Sequence, residues 1–338
     1  MAGIKDVAER AGVSIATVSR ALSGRGNVSQ NALEAVRRAA DDLGYVVSAS
    51  ASGLASGRTR NIGVLLPQIN HWFYAKALEG VSSALLREGF DTTLYQLTKE
   101  PQERKRIFGD FLLRQRVDAV IAINVELDES ELTALHALNK PLVGVGGPLP
   151  GAPTLSLDEQ ALADLAVGHL RALGHERIGY LGGSNDMDLD FQLSSHRRQC
   201  FVTAMRQAEL EVEPALFQGA DFTMEGGYQA AKQLLGNPAA HPTALFAASD
   251  EMAIGALLAA RDLGVDVPSR LSVVGIDNHD LAELFELTTI GQNPAEQGAD
   301  AAKLLIDALL GRAPAEHHLA GHRLIVRGTT AQRTADFD

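Results

Sequence analysis

From residue 61 onward, short apolar runs alternate with amphipathic segments of helix length, and this alternation restricts the fold more than any other feature. The runs include NIGVLL, VDAVIAI, PLVGVG, RIGYLGG, TALFAAS and LSVVGID. Strands that alternate with helices predict parallel α/β layers, because a parallel connection needs a crossover that a helix supplies. Roughly 270 residues are many for one such sheet, so we predict two doubly wound lobes.

Polar and aromatic side chains follow the ends of these predicted strands, where open α/β sheets bind their ligands. The candidates are Trp72, Phe73, Tyr74, Asn124, Arg197, Phe222, Ser249, Asp250, Asp277 and Asn278. Aromatic rings suit the C–H faces of a sugar, and carboxylates, amides and arginine suit its hydroxyls, so this set favours a neutral polyol. Three alternatives stay open: the aromatic run could be core, Asp250 could cap a helix, and Asp277 could be an ordinary loop carboxylate.

The first sixty residues have a helical pattern instead. The apolar spacing i, i+3, i+4, i+7 that begins at Ile4 predicts a first helix, which Gly12 ends. Ser14 can accept a hydrogen bond from free amides and so start a second helix, and a third ends before Gly44. Three short helices with a tight glycine turn between the first two predict an all-α helix-turn-helix headpiece.

The second helix would read DNA with its N-terminal residues. We expect Ile15 and Ala16 to make apolar contacts, for instance to a thymine methyl group, and Arg20 to contact guanine O6 and N7. The side chains expected at phosphates, which position the helix without specifying sequence, are Ser14, Thr17, Ser19 and Asn27. The same pattern could belong to a small three-helix packing unit that binds no nucleic acid.

The net charge of −12 does not exclude DNA binding, because the charge is unevenly placed. The first sixty residues hold eight basic and five acidic side chains, a balance of +3, which leaves −15 on the remainder. Exposed charges act over a Debye length of about 8 Å, so the local charge near phosphates decides. The acidity is therefore assigned to the larger α/β part.

The N-terminal motifs IKDVAERAGVSIATVSRALSG, NVSQ and LGY resemble the headpiece of the lactose-repressor (LacI/GalR) family of bacterial transcription factors. The likeness continues through GHERIGYLGG, FAASDEMAIGALLAARDLGVDVPSRLSVVGIDN, LTTIGQNPAEQGADAAKLL and LIVRGTT, which are similar to the family's effector-binding core. That core resembles the periplasmic sugar-binding fold, with two lobes joined by crossover strands. The resemblance implies a homodimer that binds double-stranded, pseudo-palindromic operator DNA.

The resemblance also divides the chain. The expected parts are a DNA-binding headpiece over 1–47, a hinge over 48–60 and a core over 61–332, with one lobe at about 61–159 and 292–319 and the other at about 160–291 and 320–332. Within the core it implies that Arg197 and Asp277 hold ligand hydroxyls. The residues implied to line or adjoin the pocket are Phe73, Tyr74, Phe222, Asn124, Ser249 and Gln292.

Two departures from the family pattern affect these roles. Trp72 stands where many members have proline and could add a stacking platform, and Ser249 stands where sugar-responding members often have asparagine. In the hinge, Leu54 matches the leucine that wedges into the minor groove, but Ser52 and Gly53 replace an arginine and a serine. Because Gly53 weakens a helix by about 1 kcal/mol, we predict a hinge disordered without DNA and a weaker operator complex. A plain flexible linker is the alternative.

The sequence therefore predicts a cytoplasmic, nucleoid-associated regulator, a repressor of carbohydrate genes that responds to a sugar. The alternative is a purine or nucleoside effector that acts as a corepressor. A transport receptor is disfavoured because MAGIKDVAER does not resemble a signal peptide, and an enzyme because the sequence contains no G-x-G-x-x-G, P-loop, H-E-x-x-H or G-x-S-x-G motif. No cofactor, metal or membrane partner is expected, and the single cysteine, Cys200, fits a reducing compartment.

Overall fold

The computed structural model describes residues 2–23, 27–45, 58–112, 116–183, 193–238, 240–312 and 317–333. The chain divides into two compact units, Met1–Arg60 and Asn61–Asp338. Leu54 and the substituted hinge positions lie outside the described residues, so the expectations for the hinge stay predictions. Within the described ranges, no helix combines the length and apolarity needed to cross a membrane.

The N-terminal unit contains three helices around a small apolar core. They are α1 (Ile4–Ala11), α2 (Ile15–Ser23) and α3 (Gln30–Leu43). Val7, Val18 and Val36 contribute one fully buried side chain from each helix. Gly12 adopts φ 66° and ends α1 in the left-handed conformation that glycine tolerates best. The helix-turn-helix prediction is confirmed.

The first sheet of the larger unit is entirely parallel and has the order β11-β5-β4-β3-β1-β2. Its strands are β1 (Asn61–Leu66), β2 (Asp91–Gln96), β3 (Ala119–Ile123), β4 (Leu142–Val145), β5 (Thr154–Ser156) and β11 (His317–Leu319). Its helices are α4 (Trp72–Arg87), α5 (Pro101–Arg106), which continues as a π-turn at Ile107–Phe111, α6 (Glu129–Ala137) and α11 (Pro294–Leu309). A Cβ atom at Gly298 would lie 2.0 Å from the Ala77 carbonyl oxygen, so only glycine allows α11 to approach α4 this closely.

The second sheet has the order β12-β10-β9-β8-β6-β7, and only β12 runs antiparallel to its neighbour. Its strands are β6 (Ile178–Gly183), β7 (Phe217–Ala220), β8 (Ala244–Ala247), β9 (Ser272–Asp277), β10 (Thr288–Gly291) and β12 (Arg323–Ile325). Its helices are α7 (Glu159–Ala172), α8 (Leu193–Gln207), α9 (Met224–Leu235) and α10 (Asp250–Asp262), with a 3₁₀ turn at Pro214–Leu216. The chain passes from the first sheet to the second after β5, returns through α11 and β11, and crosses again to β12. Two α/β lobes built on mostly parallel sheets confirm the predicted fold class.

An aromatic cluster fills the core of the second lobe. The Tyr180 and Phe201 rings stack with centroids 4.9 Å apart, and Phe217 and Phe246 pack around them. The buried Tyr180 hydroxyl has no hydrogen-bond partner among the described residues. Burial also raises the pKa of this phenol.

Tyr180→Phe should leave the free energy of unfolding unchanged or raise it by up to about 1 kcal/mol, because it removes a buried hydroxyl that forms no hydrogen bond to any described residue. Urea unfolding followed by circular dichroism measures the effect. Phe201→Ala is the comparison, and it should lower stability by about 3–5 kcal/mol through the cavity it creates. A loss above 1 kcal/mol for Tyr180→Phe would show that the hydroxyl has a partner.

Candidate functional site

The exposed face of α2 presents the residues predicted to read DNA. The Ile15 side chain is 44% exposed although it is apolar, and Ala16 and Ser19 are exposed beside it. The Arg20 Nε atom donates to the Ala16 carbonyl oxygen at 3.1 Å, which holds the guanidinium along the same face. An apolar pair and a guanidinium on one face can contact a methyl group and a base edge.

The predicted phosphate contacts divide into two groups. Ser14 and Thr17 are joined by a 2.9 Å hydrogen bond between their hydroxyls, and Ser14 Oγ also accepts from the Thr17 amide at 3.2 Å. Asn27 is exposed two residues before Ser29, whose hydroxyl caps α3 by accepting from the Ala32 amide. Ser14 therefore starts α2 as expected from its residue type. Its contact with phosphate stays a prediction.

A cavity of about 570 Å³ lies between the two sheets of the larger unit. Its walls come from the carboxyl ends of strands in both sheets, which is where open α/β sheets are expected to bind their ligands. The predicted residues that line it are Phe73, Tyr74, Asn124, Arg197, Phe222, Ser249, Asp277 and Gln292. This volume is within the usual range for small-molecule sites.

Three wall residues have backbone conformations that non-glycine residues seldom adopt. The φ angles are 43° for Asn124, 61° for Phe222 and 131° for Asp277. Such angles cost about 1–3 kcal/mol each and occur mainly where function requires a side chain in one place. They support the assignment of this cavity as a binding site.

Arg197 is held rigidly on one wall although it is buried. Its Nε and Nη2 atoms donate to the two oxygens of Glu159 at 2.7 and 3.1 Å, and Nη1 donates to the Ala248 carbonyl oxygen at 2.7 Å. Burial alone would lower the pKa of the guanidinium, but the Glu159 carboxylate raises it and keeps the group charged. The side chain is thus positioned before any ligand binds.

Asp277 faces this arginine from the end of β9. Burial raises the pKa of its carboxyl group to about 6, although Arg197 opposes the shift. Gln292 donates a short hydrogen bond to Asp277, and Gln297 Nε2 in turn donates to the Gln292 carbonyl oxygen at 2.7 Å. This chain of amides fixes Asp277 and Gln292 at the crossover between the lobes.

The structure places three of the predicted pocket residues outside the cavity lining: Trp72, Asp250 and Asn278, whose Oδ1 accepts a hydrogen bond from Arg327 at 2.7 Å. Asp250 is fully buried behind the wall, where its carboxylate accepts hydrogen bonds from Thr289 Oγ1 at 2.7 Å and from the His279 amide at 2.8 Å. Ser249, not Asp250, is the N-cap of α10. Trp72 does not line the cavity, and its ring packs on His279 with centroids 4.8 Å apart. None of the three is among the described residues that line the cavity.

Trp72 instead belongs to a set of contacts between the lobes. One turn along α4, Lys76 Nζ lies 3.2 Å from the Asp280 carboxylate of the second lobe. These contacts hold the two lobes together beside the cavity.

Three acidic wall residues were missed by the sequence analysis: Glu159, Asp221 and Glu251. Glu159 begins α7, where an acidic residue is commonly explained by the helix dipole. Glu251 follows Asp250 directly. The sequence analysis identified this strand end correctly, but it chose Asp250 and not Glu251, the residue of the first helical turn that lines the cavity. Burial, followed by the neighbouring Asp277, raises the pKa of Glu251 to about 7.

Comparisons with known proteins agree with both parts of the structure. Residues 3–48 match the model for "Bacterial regulatory proteins, lacI family", and residues 167–330 match a "Periplasmic binding protein-like domain". The HTH-type transcriptional repressor CytR of Escherichia coli (strain K12) is 34% identical, with 97% of this chain and 96% of that protein covered. A lac repressor dimer bound to operator and the anti-inducer ONPF is 26% identical at a TM-score of 0.87, over 98% of this chain and 99% of that one. A complex of the transcriptional regulator CelR with cellobiose is 30% identical at a TM-score of 0.70, over 97% of this chain and 100% of that one.

Proposed function

Because this chain belongs to the lacI family of bacterial regulatory proteins, we propose that it represses carbohydrate genes and that a sugar-like effector in the cavity controls its operator affinity. The protein is a DNA-binding transcriptional regulator. The observation that carries the effector proposal is that Arg197, Asp277 and three aromatic rings, Phe73, Tyr74 and Phe222, line one cavity. A solved relative that holds cellobiose supports the same ligand class.

Each part of the cavity has a match on a sugar. Asp277 offers carboxylate oxygens to hydroxyl donors, and Arg197 offers N–H groups to hydroxyl oxygens. The Phe73 and Tyr74 rings meet edge to face at 5.5 Å, and Phe222 adds a third ring to the walls. Aromatic faces suit the apolar C–H face of a pyranose. The set therefore matches a ligand that is polar at its edge and apolar on its face.

The proposed mechanism is a population shift between two arrangements of the lobes. The contacts of Trp72 with His279 and of Lys76 with Asp280 belong to one arrangement. A ligand that binds the two arrangements with different affinity shifts their ratio, and linkage requires a reciprocal change in operator affinity. We propose a homodimer, as in the lac repressor complex, in which the hinge at 48–60 passes this change to the paired headpieces.

Thermal unfolding tests the effector class. The full chain is screened against sugars, polyols, nucleosides and purine bases, and every compound that raises the melting temperature is added to an operator-binding assay. We expect a sugar to stabilise the protein and to change operator affinity. If only purines or nucleosides did so, the alternative effector would replace the sugar, and the aromatic trio would stack on a planar base instead.

On the DNA side we propose that Ile15, Ala16 and Arg20 select the sequence, with Ser14, Thr17, Ser19 and Asn27 at phosphates. Arg20→Ala should lower affinity for the operator by about 10–100-fold and relax preference at one base pair per half-site, because a bidentate arginine–guanine contact is worth about 1–3 kcal/mol. Selection from random DNA followed by fluorescence anisotropy measures both effects.

Arg38→Ala is the matched control for this substitution. It removes the same charge from an exposed side chain of α3, which pairs only weakly with Glu34 at 3.7 Å. The control should weaken binding to all DNA sequences equally or leave it unchanged. If Arg20→Ala produced the same uniform loss, Arg20 would contact phosphate and not a base.

A further inference from the structure

The walls of the effector cavity carry an excess of negative charge. Among the described residues, four lining side chains are carboxylates, Glu159, Asp221, Glu251 and Asp277, and Arg197 is the one lysine or arginine. Asp221 is exposed at the margin, whereas Asp277 is buried and Glu251 is half-buried. Carboxylates removed from water are normally paired, so an excess in a cavity restricts what can enter.

The single arginine cannot balance this excess, because one carboxylate already occupies it. Glu159 takes two of its donors and the Ala248 carbonyl oxygen takes a third. The Arg197–Glu159 pair is therefore close to neutral. An incoming anion would have to displace Glu159 or share the guanidinium with it.

The remaining acids lie close enough to influence one another. Glu251 faces Asp277 at the end of β9, Asp221 after β7 and the backbone of Trp72 on α4. Both acids oppose ionisation of Glu251, and the Trp72 amide favours it. A dianionic phosphate placed here would meet like charges from three elements. Besides the engaged Arg197, the basic groups of the described walls are His71 and His196, and burial lowers the pKa of His71.

We infer that the effector carries no phosphate or carboxylate group, and that Glu251 together with Asp277 accepts hydrogen bonds from its hydroxyl or ammonium donors. The inference rests on the proposed function, since it concerns the ligand of the same cavity. It assigns to Glu251 a role in selecting ligands by charge. Phosphorylated sugars and nucleotides are excluded from the site, whereas free sugars, amino sugars and nucleosides are admitted.

Matched pairs of compounds test the inference by isothermal titration with the full chain. The pairs are ribose and ribose 5-phosphate, glucose and glucose 6-phosphate, cellobiose and cellobiose 6-phosphate, and uridine and its 5′-monophosphate, with glucosamine added. For any parent compound that binds, the phosphorylated partner should bind at least about tenfold more weakly. A smaller ratio, or a phosphorylated compound that binds while its parent does not, would overturn the inference.

Glu251→Gln tests whether Glu251 is the residue that disfavours phosphorylated ligands. At pH 8, above the Glu251 pKa of about 7, this variant should reduce the ratio between the two dissociation constants by at least about threefold, because one of the repelling charges is lost. Glu283→Gln, at an exposed position outside the cavity, should leave the ratio unchanged. An unchanged ratio in Glu251→Gln would remove Glu251 from the charge selection.

If no compound of the panel binds, the pH dependence of stability tests whether the Glu251 carboxyl group is removed from water, as the inference requires. The Glu251 pKa of about 7 lies above its ordinary value, so the contribution of this group to stability should fall as pH rises from about 4.5 through 7. Glu251→Gln should therefore melt a few degrees higher than wild type at pH 8 and show no such gain at pH 4.5. A difference that does not change with pH would mean that Glu251 is solvated, and the inference would fail.

The inference and the proposed function fail in different ways. A phosphorylated compound that binds and changes operator affinity would overturn the inference and leave the proposed function intact. A full chain that selects no DNA sequence would overturn the proposed function, while the charge preference of the cavity would still be measured by titration.

Discussion

Asp277→Ala should abolish the effector response and leave operator affinity in the absence of effector within about twofold of wild type. The Asp277 carboxylate lines the cavity and receives a hydrogen bond from Gln292, so its acceptor positions are fixed before ligand binds. Each hydrogen bond to a charged group is worth about 1.5–3 kcal/mol. Loss of one or two of them should weaken effector binding by about 10–10⁴-fold.

Operator affinity should survive because Asp277 lies in the larger unit, whereas the DNA-reading face belongs to the N-terminal unit. Removal of a buried carboxyl group whose pKa is raised to about 6 also removes a desolvation penalty, so the fold should be retained. Fluorescence anisotropy on the selected operator, with and without the effector found by thermal screening, measures both quantities.

Asp91→Ala at the exposed start of β2 is the control and should respond to effector like wild type. Asp277→Asn adds a second comparison, because it keeps the shape and one acceptor oxygen but not the charge. It should bind effector more weakly than wild type and more tightly than Asp277→Ala. An unaltered response in Asp277→Ala would remove this residue from the site.

Arg197→Met should lower the free energy of unfolding by about 3–5 kcal/mol, because it leaves the Glu159 carboxylate buried without its partner. The Glu159 side chain is only 10% exposed, and both of its oxygens are hydrogen-bonded to Arg197. For a unit of this size, the loss corresponds to a fall in melting temperature of roughly 6–20 °C. Urea unfolding of the full chain, followed by intrinsic fluorescence and circular dichroism, measures this loss of stability.

A double-mutant cycle isolates the contribution of the Arg197–Glu159 pair to the free energy of unfolding. The variant that combines Arg197→Met with Glu159→Leu should recover most of the lost stability, since no uncompensated charge remains. It should still fail to bind effector, because both polar groups are gone. Arg312→Ala breaks an exposed pair with Asp307 at 2.8 Å and should cost under about 1 kcal/mol. A single-variant loss no larger than this control would show that the Arg197–Glu159 pair is solvated.

Local signals in the sequence identified most of the architecture. The change from apolar runs to helical spacing predicted two α/β lobes, and Ser14 with Gly12 marked the helix-turn-helix turn before any tertiary contact was known. These signals are local because caps, left-handed glycines and apolar periods act within one element and its neighbours. The expectation that ligands bind at strand ends then gathered residues as distant in sequence as Asn124 and Asp277 at one cavity.

The wrong predictions of cavity residues concern side chains that are adjacent on one helix but point in different directions. Phe73 and Tyr74 line the cavity while Trp72 does not, and Ser249 and Glu251 line it while Asp250 lies behind. Neighbouring residues on a helix point about 100° apart, so only one or two of three consecutive side chains can face a given cavity. The rotation of α4 and α10 about their axes is set by their packing on the sheets. A motif at a strand end therefore does not predict which side chains of the following helix face the cavity.

Patterns local to one element were enough to predict the fold class, the family, the face of α2 and the strand ends that surround the cavity. Which side chains enter the cavity, and what charge its walls carry, depends on how separate elements pack together. The pairing of Arg197 with Glu159 and the approach of Glu251 to Asp277 join separate elements of the second lobe. Burial then changes their protonation, because a low-dielectric wall disfavours isolated charge, and no sequence pattern reports how far a carboxylate lies from water.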